Sequence, residues 1–343
     1  MKFSEYFNDW LYGNNGYYSD FKTIGKDGDF YTAVSTSKFF GGSIAKYIIK
    51  TISDGFLSPN TTILEIGAHQ GYLLADIIEF INTLEPKLLS TLKFAIVERH
   101  EKLREIQKQY IEESFGGTIQ ITHYHDLKNV ELDEAFVVAN EIFDAFSCEL
   151  VWTKDEQLFQ AEVHNHQIVW VEASQEIKEI CKKHKITKGE VIVGVDEFAQ
   201  TLSSNIRTFE FMSFDYGEIY PRNDFSIRIY KSHNVHPLFE ENLKLEDFFK
   251  SSDITFDVNF AQICESFNNA KVDKHYYATQ LKALVEMGIT ELLEMVLEHA
   301  GQTAYLREAN KAKTLLNPIG MGERFKAISF RKRDKNETNN KRN

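Results

Sequence analysis

The chain has 343 residues, which is more than one average domain needs and fits one large domain or a core with a smaller lobe. Hydrophobic residues make up 43% of the chain, enough to bury a core, so the composition excludes a disordered protein. The net charge of -12 repels phosphate backbones and argues against nucleic acid as a partner. No run of about 18 uncharged apolar residues occurs, so we expect no membrane span.

The cysteines indicate a reducing compartment. Cys148, Cys181 and Cys264 are far apart, odd in number and outside any CxxC or Cys/His spacing, so we expect neither disulfides nor structural zinc. Residues 1–13 lack the apolar run and cleavage site of a signal peptide. The sequence therefore predicts a cytoplasmic protein without a bound metal.

In chain order, the first half alternates between helix and strand patterns. An amphipathic helix pattern opens the chain, and a second helix begins near Ser37. The pattern then predicts strands over 61–66, 94–98 and 135–139, with helices over 71–81 and 101–110. Strands and helices that alternate at this spacing are typical of parallel βαβ units.

The second half adds a lobe of different character. Apolar and polar residues alternate over 149–152, 158–164 and 167–172, as they do in antiparallel strands. The pattern further predicts a core strand over 209–215, a helix over 278–300 and a last strand over 325–330. We therefore divide the chain into an N-terminal helical and lid segment (1–60), a core (61–147 and 205–330), an inserted β/α lobe (148–204) and a disordered tail (331–343).

A glycine turn follows the first predicted core strand. Gly67 and Gly71 lie between that strand and a helix, where an open α/β sheet binds its ligands. The turn lacks the Gly-Lys-Ser/Thr of a phosphate loop, and the carboxylate of Glu65 would repel a pyrophosphate. A cofactor with positive groups, such as S-adenosylmethionine (SAM), tolerates that carboxylate. The alternative is a plain strand-to-helix turn.

An acidic residue also ends the next strand. In a Rossmann-like sheet, a carboxylate at this position accepts hydrogen bonds from ribose hydroxyls, which makes Glu98 a candidate cofactor ligand. The alternative is a solvent-exposed glutamate at a strand end.

Motifs along most of the chain match one known family. The matching residues are Gly16-Tyr17-Tyr18, Gly28-Asp29-Phe30 with Thr32, Phe40-Gly41, Leu64-Glu65-Ile66-Gly67 with Gly71, Val97-Glu98, Asn140-Glu141-Ile142-Phe143-Asp144-Ala145, Phe214-Asp215-Tyr216-Gly217, Asp253-Ile254-Thr255, Thr279-Gln280, and Met321-Gly322 with Phe325-Lys326. In this order and spacing the sequence resembles the MidA-type SAM-dependent methyltransferases. The mitochondrial members of that family assist the assembly of respiratory complex I.

The resemblance implies an α/β fold: a Rossmann-like class I methyltransferase sheet with an N-terminal helical segment and an inserted, partly antiparallel β lobe. It implies SAM as the cofactor, with Asp29 or Thr32 contacting it from a lid segment. It also implies a protein substrate, namely an arginine of a complex I subunit. One position departs from the family, because His69 stands where the turn usually has its middle glycine. Its Cβ either hinders the approach of the methionyl group or is absorbed by a shifted backbone.

Three polar residues follow the strand over 135–139. Asn140 can hydrogen-bond the cofactor or a substrate amide, and Glu141 and Asp144 share a side if a helical turn begins there. A carboxylate pair can orient a guanidinium and receive its proton, so we interpret these two residues as catalytic. Asp215, at the end of a later strand, is a third candidate. The alternatives are helix caps for Asn140 and Asp144, and a purely structural turn for Asp215.

Other functions have weaker support. The pairs His123/His125 and His164/His166 alternate as metal ligands on one strand face would, but no third ligand has matching spacing, so surface histidines on a β edge explain them better. No Gly-x-Ser-x-Gly elbow supports hydrolase chemistry. Two rivals stay open: a catalytically silent assembly chaperone, which His69 motivates, and a small-molecule O- or N-methyltransferase. The sequence also leaves the oligomeric state open, a homodimer included.

Overall fold

The computed structural model describes residues 1–19 and 32–334. The strands are β1 (Thr62–Ile66), β2 (Lys93–Val97), β3 (Ile121–Tyr124), β4 (Leu132–Asn140), β5 (Cys148–Lys154), β6 (Gln157–His164), β7 (Gln167–Glu172), β8 (Lys188–Ile192), β9 (Ile206–Glu218), β10 (Arg228–Lys231), β11 (Asn234–Pro237), β12 (Asp253–Thr255), β13 (Val258–Asn259), β14 (Asp273–Thr279) and β15 (Phe325–Lys332). The helices are α1 (Phe3–Tyr12), α2 (Ala33–Thr36), α3 (Phe39–Ser53), α4 (Tyr72–Leu84), α5 (Glu101–Phe115), α6 (Gln175–His184), α7 (Val195–Asn205), α8 (Phe260–Asn269), α9 (Gln280–Glu286) and α10 (Ile289–Leu316).

The chain forms two compact units. Among the residues described, unit 1 contains 1–19, 141–198 and 215–269. Unit 2 contains 32–140, 199–214 and 270–334. The chain passes from unit 2 to unit 1 after Asn140 and returns to unit 2 within α7, at Ala199. It enters unit 1 again within β9, after Phe214, and returns to unit 2 after Asn269.

Unit 2 is built on the large sheet, whose strand order is β3-β2-β1-β4-β9-β15-β14. The pairs β1–β2, β2–β3, β1–β4 and β4–β9 are parallel, and β14–β15 is antiparallel. The first four residues of β1 are buried, as expected for a parallel strand with helices on both faces. The predicted Rossmann-like α/β class is confirmed.

Apolar side chains from α3, α4 and the sheet form one core in unit 2. Phe40 and Ile44 of α3 and Ile77 of α4 are fully buried in it, together with Ile63 of β1 and Phe136 of β4. The spacing of these residues along each helix places them on one stripe, which is why amphipathic segments became helices here.

Unit 1 contains two smaller antiparallel sheets. One has the order β7-β6-β5-β8 and corresponds to the predicted lobe, and the other has the order β11-β10-β12. Helix α1 belongs to this unit, where the indole Nε1 of Trp10 donates to the carbonyl of Ser252 at 2.8 Å. The prediction of antiparallel strands in the middle of the chain is confirmed.

The prediction of one helix over 278–300 was wrong in two respects: the helix begins later, and it is not continuous. Ala278 and Thr279 belong to β14, where Ala278 pairs with Ala327 of β15. The helical part is then divided into α9 and α10 at Gly288, which has φ 88. Apolar periodicity alone does not separate a strand end from a helix start, and it passes over a glycine that breaks the helix.

The domain boundaries also differ from those expected. Residues 215–269, which we assigned to the core, group with the lobe, because β10, β11 and β12 form a sheet of their own. The expected tail begins too early, because β15 continues to Lys332. Residues 335–343 lie outside the part that the structure describes.

The described residues contain neither a membrane-spanning helix nor a group of side chains that could hold a metal ion. No helix within 1–19 or 32–334 has the length and apolar character needed to cross a bilayer. In the same ranges, no group of three or more His, Cys, Asp or Glu side chains is arranged to hold a metal ion.

Strand β13 approaches β9 closely at Gly217, which pairs with Val258. A Cβ at this glycine, whose φ is +151, would lie 2.0 Å from the carbonyl oxygen of Val258. We expect Gly217→Ala to lower the free energy of unfolding by roughly 3 kcal/mol, measured by urea denaturation. Gly55→Ala is the matched control, because Gly55 also has positive φ but nothing lies within 4 Å of its Cβ position. It costs only the backbone strain of about 1 kcal/mol. Equal losses in the two variants would contradict the close approach.

Candidate functional site

Three strands of unit 2 end at the same level. Ile66 of β1 pairs with Val97 of β2 and with Ala139 of β4. The residues that follow these three are Gly67, Glu98 and Asn140, which are all predicted cofactor ligands. In parallel strands the carboxyl ends share one edge, so the register brings these candidates together at the edge where open α/β sheets bind ligands.

The turn after β1 uses left-handed backbone at three positions. Gly67 has φ 73, His69 has φ 46 and Gly71 has φ 82. The amide of Gly71 donates to the carbonyl of Ala68 at 2.7 Å and closes the turn. His69 therefore adopts a left-handed conformation that glycine reaches freely and that a residue with a Cβ reaches at a cost.

Glu65 holds the turn from inside the sheet. Its side chain is 4% exposed, and Oε2 accepts a hydrogen bond from the amide of Leu74 at 3.1 Å. Burial raises the pKa of Glu65 to about 8, although the Leu74 amide lowers it. The carboxyl group therefore links the end of β1 to the first turn of α4.

Glu98 lies at the edge with part of its carboxyl group engaged. The side chain is 7% exposed, and Oε1 accepts from the amide of His100 at 2.9 Å. Arg104 of α5 fixes the loop around it, because Nη1 donates to the carbonyls of Glu98 and Arg99, each at 2.9 Å. The sequence did not indicate this use of Arg104.

The other predicted cofactor ligands are less closely defined. Asn140 is the last residue of β4 and pairs with Phe214 of β9. The hydroxyl of Thr32 caps α2 by accepting from the amide of Ser35 at 3.2 Å. Asp29 lies outside the described residues.

The predicted catalytic carboxylates come together in unit 1. Glu141 has φ 52 and is partly buried. Asp144 is 5% exposed and Asp215 is fully buried. Asp215 Oδ2 accepts from the amides of Phe143 and Asp144 at 2.9 and 3.3 Å, which ties the end of β9 to the loop that carries Asp144.

Burial dominates the electrostatics of this carboxylate cluster, Glu141, Asp144 and Asp215. It raises the pKa of Asp144 to about 6. It raises the pKa of Asp215 further, with help from the neighbouring carboxylates of Asp144 and Glu141 and against the backbone amides that donate to it. Asp144 is therefore expected to ionise above about pH 6, whereas burial and the neighbouring carboxylates favour the protonated form of Asp215.

Tyrosine hydroxyls lie around the loop that carries Asp144. The hydroxyl of Tyr216 donates to Asp144 Oδ2 at 2.6 Å and also lies in hydrogen-bond contact with the hydroxyl of Thr255. Tyr12 donates to the carbonyl of Ala145 at 3.1 Å. Tyr18 donates to Asp253 at 3.1 Å. The family motifs contain several of these residues, but only the fold shows that they meet.

The predicted histidine pairs have separate partners. His123 contacts Gln107, His164 contacts Glu162, and the ring of His166 contacts the hydroxyl of Tyr6 at 2.7 Å. These contacts agree with the interpretation as structural and surface histidines.

The edge of unit 2 fits the cofactor that the resemblance implies. Gly67 is solvent-exposed and left-handed, so a ligand can approach its backbone closely. Glu98 directly follows β2, where a Rossmann-like sheet places the carboxylate that accepts from ribose hydroxyls. SAM is positively charged at its ammonium and sulfonium groups, so an acidic edge suits it better than it suits a dinucleotide.

Comparisons with known proteins agree with this arrangement. Residues 43–278 match the family model described as "Putative S-adenosyl-L-methionine-dependent methyltransferase". The chain is 25% identical to "Protein arginine methyltransferase NDUFAF7, mitochondrial" of Rattus norvegicus, over 90% of this chain and 76% of the relative. The protein of the same name from Danio rerio is 22% identical, over 92% of this chain and 79% of the relative.

Solved structures share the fold. A protein of Burkholderia thailandensis, crystallised with bound S-adenosyl-homocysteine, superposes with a TM-score of 0.83 and 24% identity, covering 97% of this chain and 88% of that one. A second crystal structure from Burkholderia thailandensis gives a TM-score of 0.78 at 23% identity, with 97% and 87% covered.

The pKa of Glu65 predicts a pH-dependent stability. In the folded protein Glu65 keeps its proton up to about pH 8, whereas in the unfolded chain it ionises near its ordinary value of 4.5. The folded state thus binds more protons between these values, and stability falls as pH rises through them. Glu65→Gln keeps an acceptor for Leu74 and removes the ionisation. Without cofactor, its gain in melting temperature over the original protein is expected to be larger at pH 8 than at pH 5, by at least about 2 °C.

The control is Glu105→Gln, an exposed position in the same unit. A gain for Glu65→Gln that is the same at both pH values would contradict the raised pKa.

Proposed function

The chain belongs to the family of S-adenosyl-L-methionine-dependent methyltransferases, and we propose that it methylates an arginine side chain of a protein. The carboxylate cluster of unit 1 is the observation that carries this proposal. Two of its carboxyl groups are almost completely buried, and burying them costs free energy. Strongly perturbed carboxyl groups of this kind concentrate at functional sites.

Arginine is the acceptor that such a cluster suits best. The guanidinium is always charged and is a poor nucleophile, so it has to be held and oriented by carboxylates. A scaffold that binds partners only through its surface has no need for these buried groups. The relatives named as protein arginine methyltransferases support the same choice.

The three carboxylates have different parts in the proposed reaction. Glu141 is the most accessible and binds the guanidinium. Asp144 is ionised above pH 6 and receives the proton that the attacking nitrogen loses. Asp215 is fully buried and acts through the backbone amides of residues 143 and 144, so it is a positioning residue.

The cofactor edge and the cluster are adjacent in sequence. Asn140 ends β4 and Glu141 is the next residue along the chain. When bound, SAM supplies the methyl group on its sulfonium and leaves as S-adenosyl-homocysteine. The chain contributes orientation, a site for the cation and a proton acceptor.

The finer identity of the acceptor rests on the resemblance, which suggests a subunit of respiratory complex I. A cytoplasmic location, which the cysteines favour, stays a prediction.

Removing the charge of Glu141 tests the proposal. Labelled SAM is added with purified protein to a lysate of source cells that lack the gene, and methyl-arginine is measured after hydrolysis. We expect Glu141→Gln to lower methyl-arginine formation about 100-fold, because one carboxylate no longer holds the guanidinium. Calorimetry with SAM should give a dissociation constant within about twofold of the original, since the substitution leaves the predicted cofactor ligands in place.

Glu241→Gln, at an exposed position of the same unit, is the control and should behave as the original protein. Unchanged methyl-arginine formation by Glu141→Gln would refute the role of Glu141. A label found only on small molecules or on other side chains would refute arginine as the acceptor. SAM binding with no transfer to any acceptor would favour the chaperone.

The pH profile tests the part played by Asp144. Methyl transfer is expected to fall as pH drops through about 6, because Asp144 becomes protonated there. Tyr216→Phe removes a hydrogen bond that lowers the pKa of Asp144, so the acid limb should move to higher pH. Initial rates between pH 5 and 8 at saturating SAM measure the acid limb of the original protein and that of Tyr216→Phe. Tyr220→Phe, an exposed position, is the control, and an acid limb that stays in place in Tyr216→Phe would contradict the assignment.

A further inference from the structure

Helix α5 places one amide side chain against the glycine turn. Gln107 is fully buried, and its Nε2 donates to the carbonyl oxygen of His69 at 2.7 Å. The side chain also faces the end of the turn, because a Cβ at Gly71 would lie 3.5 Å from Gln107 Cγ. Gln107 thus hydrogen-bonds the turn at His69 and lies beside it at Gly71.

The orientation of this amide is set by hydrogen-bond chemistry. A carbonyl oxygen only accepts, so the nitrogen of Gln107 has to face His69 and the amide oxygen has to face away. That oxygen lies 3.0 Å from Nε2 of His123 on β3. Nε2 of His123 therefore carries a proton and donates it to Gln107.

The two hydrogen bonds, from His123 to Gln107 and from Gln107 to the carbonyl of His69, keep their donor-to-acceptor direction over a wide pH range. Burial lowers the pKa of His123, with Arg104 and Lys108 adding to the effect, so the neutral ring predominates at neutral pH. In the neutral ring the proton has to be on Nε2. Protonation at acid pH adds a proton at Nδ1 and leaves the Nε2–H donor in place.

His69 explains why the turn needs this contact. A residue with a Cβ costs about 1–2 kcal/mol in the left-handed region, whereas glycine adopts it freely. A buried hydrogen bond contributes about 1 kcal/mol, comparable with that cost. The hydrogen bond from Gln107 to the carbonyl of His69 is directed at the residue that bears the strain.

We propose that Gln107, oriented by His123, is a positioning residue for SAM, because it holds the turn over 67–71 in its binding conformation despite the histidine at 69. The inference rests on the proposed placement of the cofactor at this turn. Neither residue touches the cofactor in this proposal, since both act through the backbone of the turn.

Two measurements on the cofactor-free and SAM-titrated protein test this. The dissociation constant for SAM is measured by calorimetry, and deuterium uptake of a peptide covering 66–74 is measured without cofactor. Gln107→Leu is expected to weaken SAM binding about tenfold and to speed exchange in that peptide. Gln109→Leu, the same substitution at an exposed position of α5, is the matched control and should change neither quantity.

Further variants separate positioning from general packing. His123→Phe should reproduce the loss of Gln107→Leu, and His123→Gln, which restores an N–H donor, should recover most of the affinity. In a His69→Gly background, Gln107→Leu should cost less than about threefold, because glycine needs no support in this conformation. Gln107→Met replaces Gln107→Leu if the latter fails to fold.

The outcomes distinguish this inference from its premise. If Gly67→Val abolishes SAM binding but Gln107→Leu binds normally, the turn is the cofactor site and Gln107 is not a positioning residue. If Gly67→Val also binds SAM normally in a folded protein, the cofactor lies elsewhere. The placement of SAM at the turn and the positioning role of Gln107 then both fail. An equal penalty for Gln107→Leu with histidine or glycine at 69 would overturn the link between Gln107 and the strain at His69.

Discussion

The register of β1 against its two neighbours is the constraint on which the cofactor edge depends. Ile66 pairs with both Val97 and Ala139, so the loops after β1, β2 and β4 leave the sheet at one level. A shift by one residue would turn Ile63 of β1 away from the core in which it packs with α3 and α4, and would move every other β1 side chain to the opposite face. Apolar residues that contact no ligand thus determine where the polar ones meet.

A second constraint is electrostatic and lies in unit 1. Carboxyl groups that are buried side by side cannot all ionise, so the cluster divides into members with different proton affinities. Burial and the neighbouring carboxylates raise the pKa of Asp215 against the backbone amides that donate to it, whereas Asp144, held by a tyrosine hydroxyl, has a pKa raised by burial to about 6. One fold thus places two carboxyl groups of different proton affinity side by side.

Much of this could be predicted from the sequence, because strong local patterns were involved. Buried β-branched runs predicted the central strands, and the residues after them predicted the edge. The helix over 278–300 was misjudged because a strand end and a helix start look alike in apolar periodicity, and Gly288 divides what remains. The role of Gln107 could not be predicted, since a glutamine inside a helix gives no sign of a partner 38 positions away in the chain.

Asp215 recognises the loop after β4 through main-chain amides. Every residue except proline offers the same N–H group, so the side chain at 143 can change without breaking this tie. The backbone hydrogen bonds that hold the loop after β4 therefore do not depend on which side chain stands at 143. Such a design lets a lineage alter the shape and charge around an acceptor by single substitutions, while the geometry that positions Asp144 is inherited unchanged.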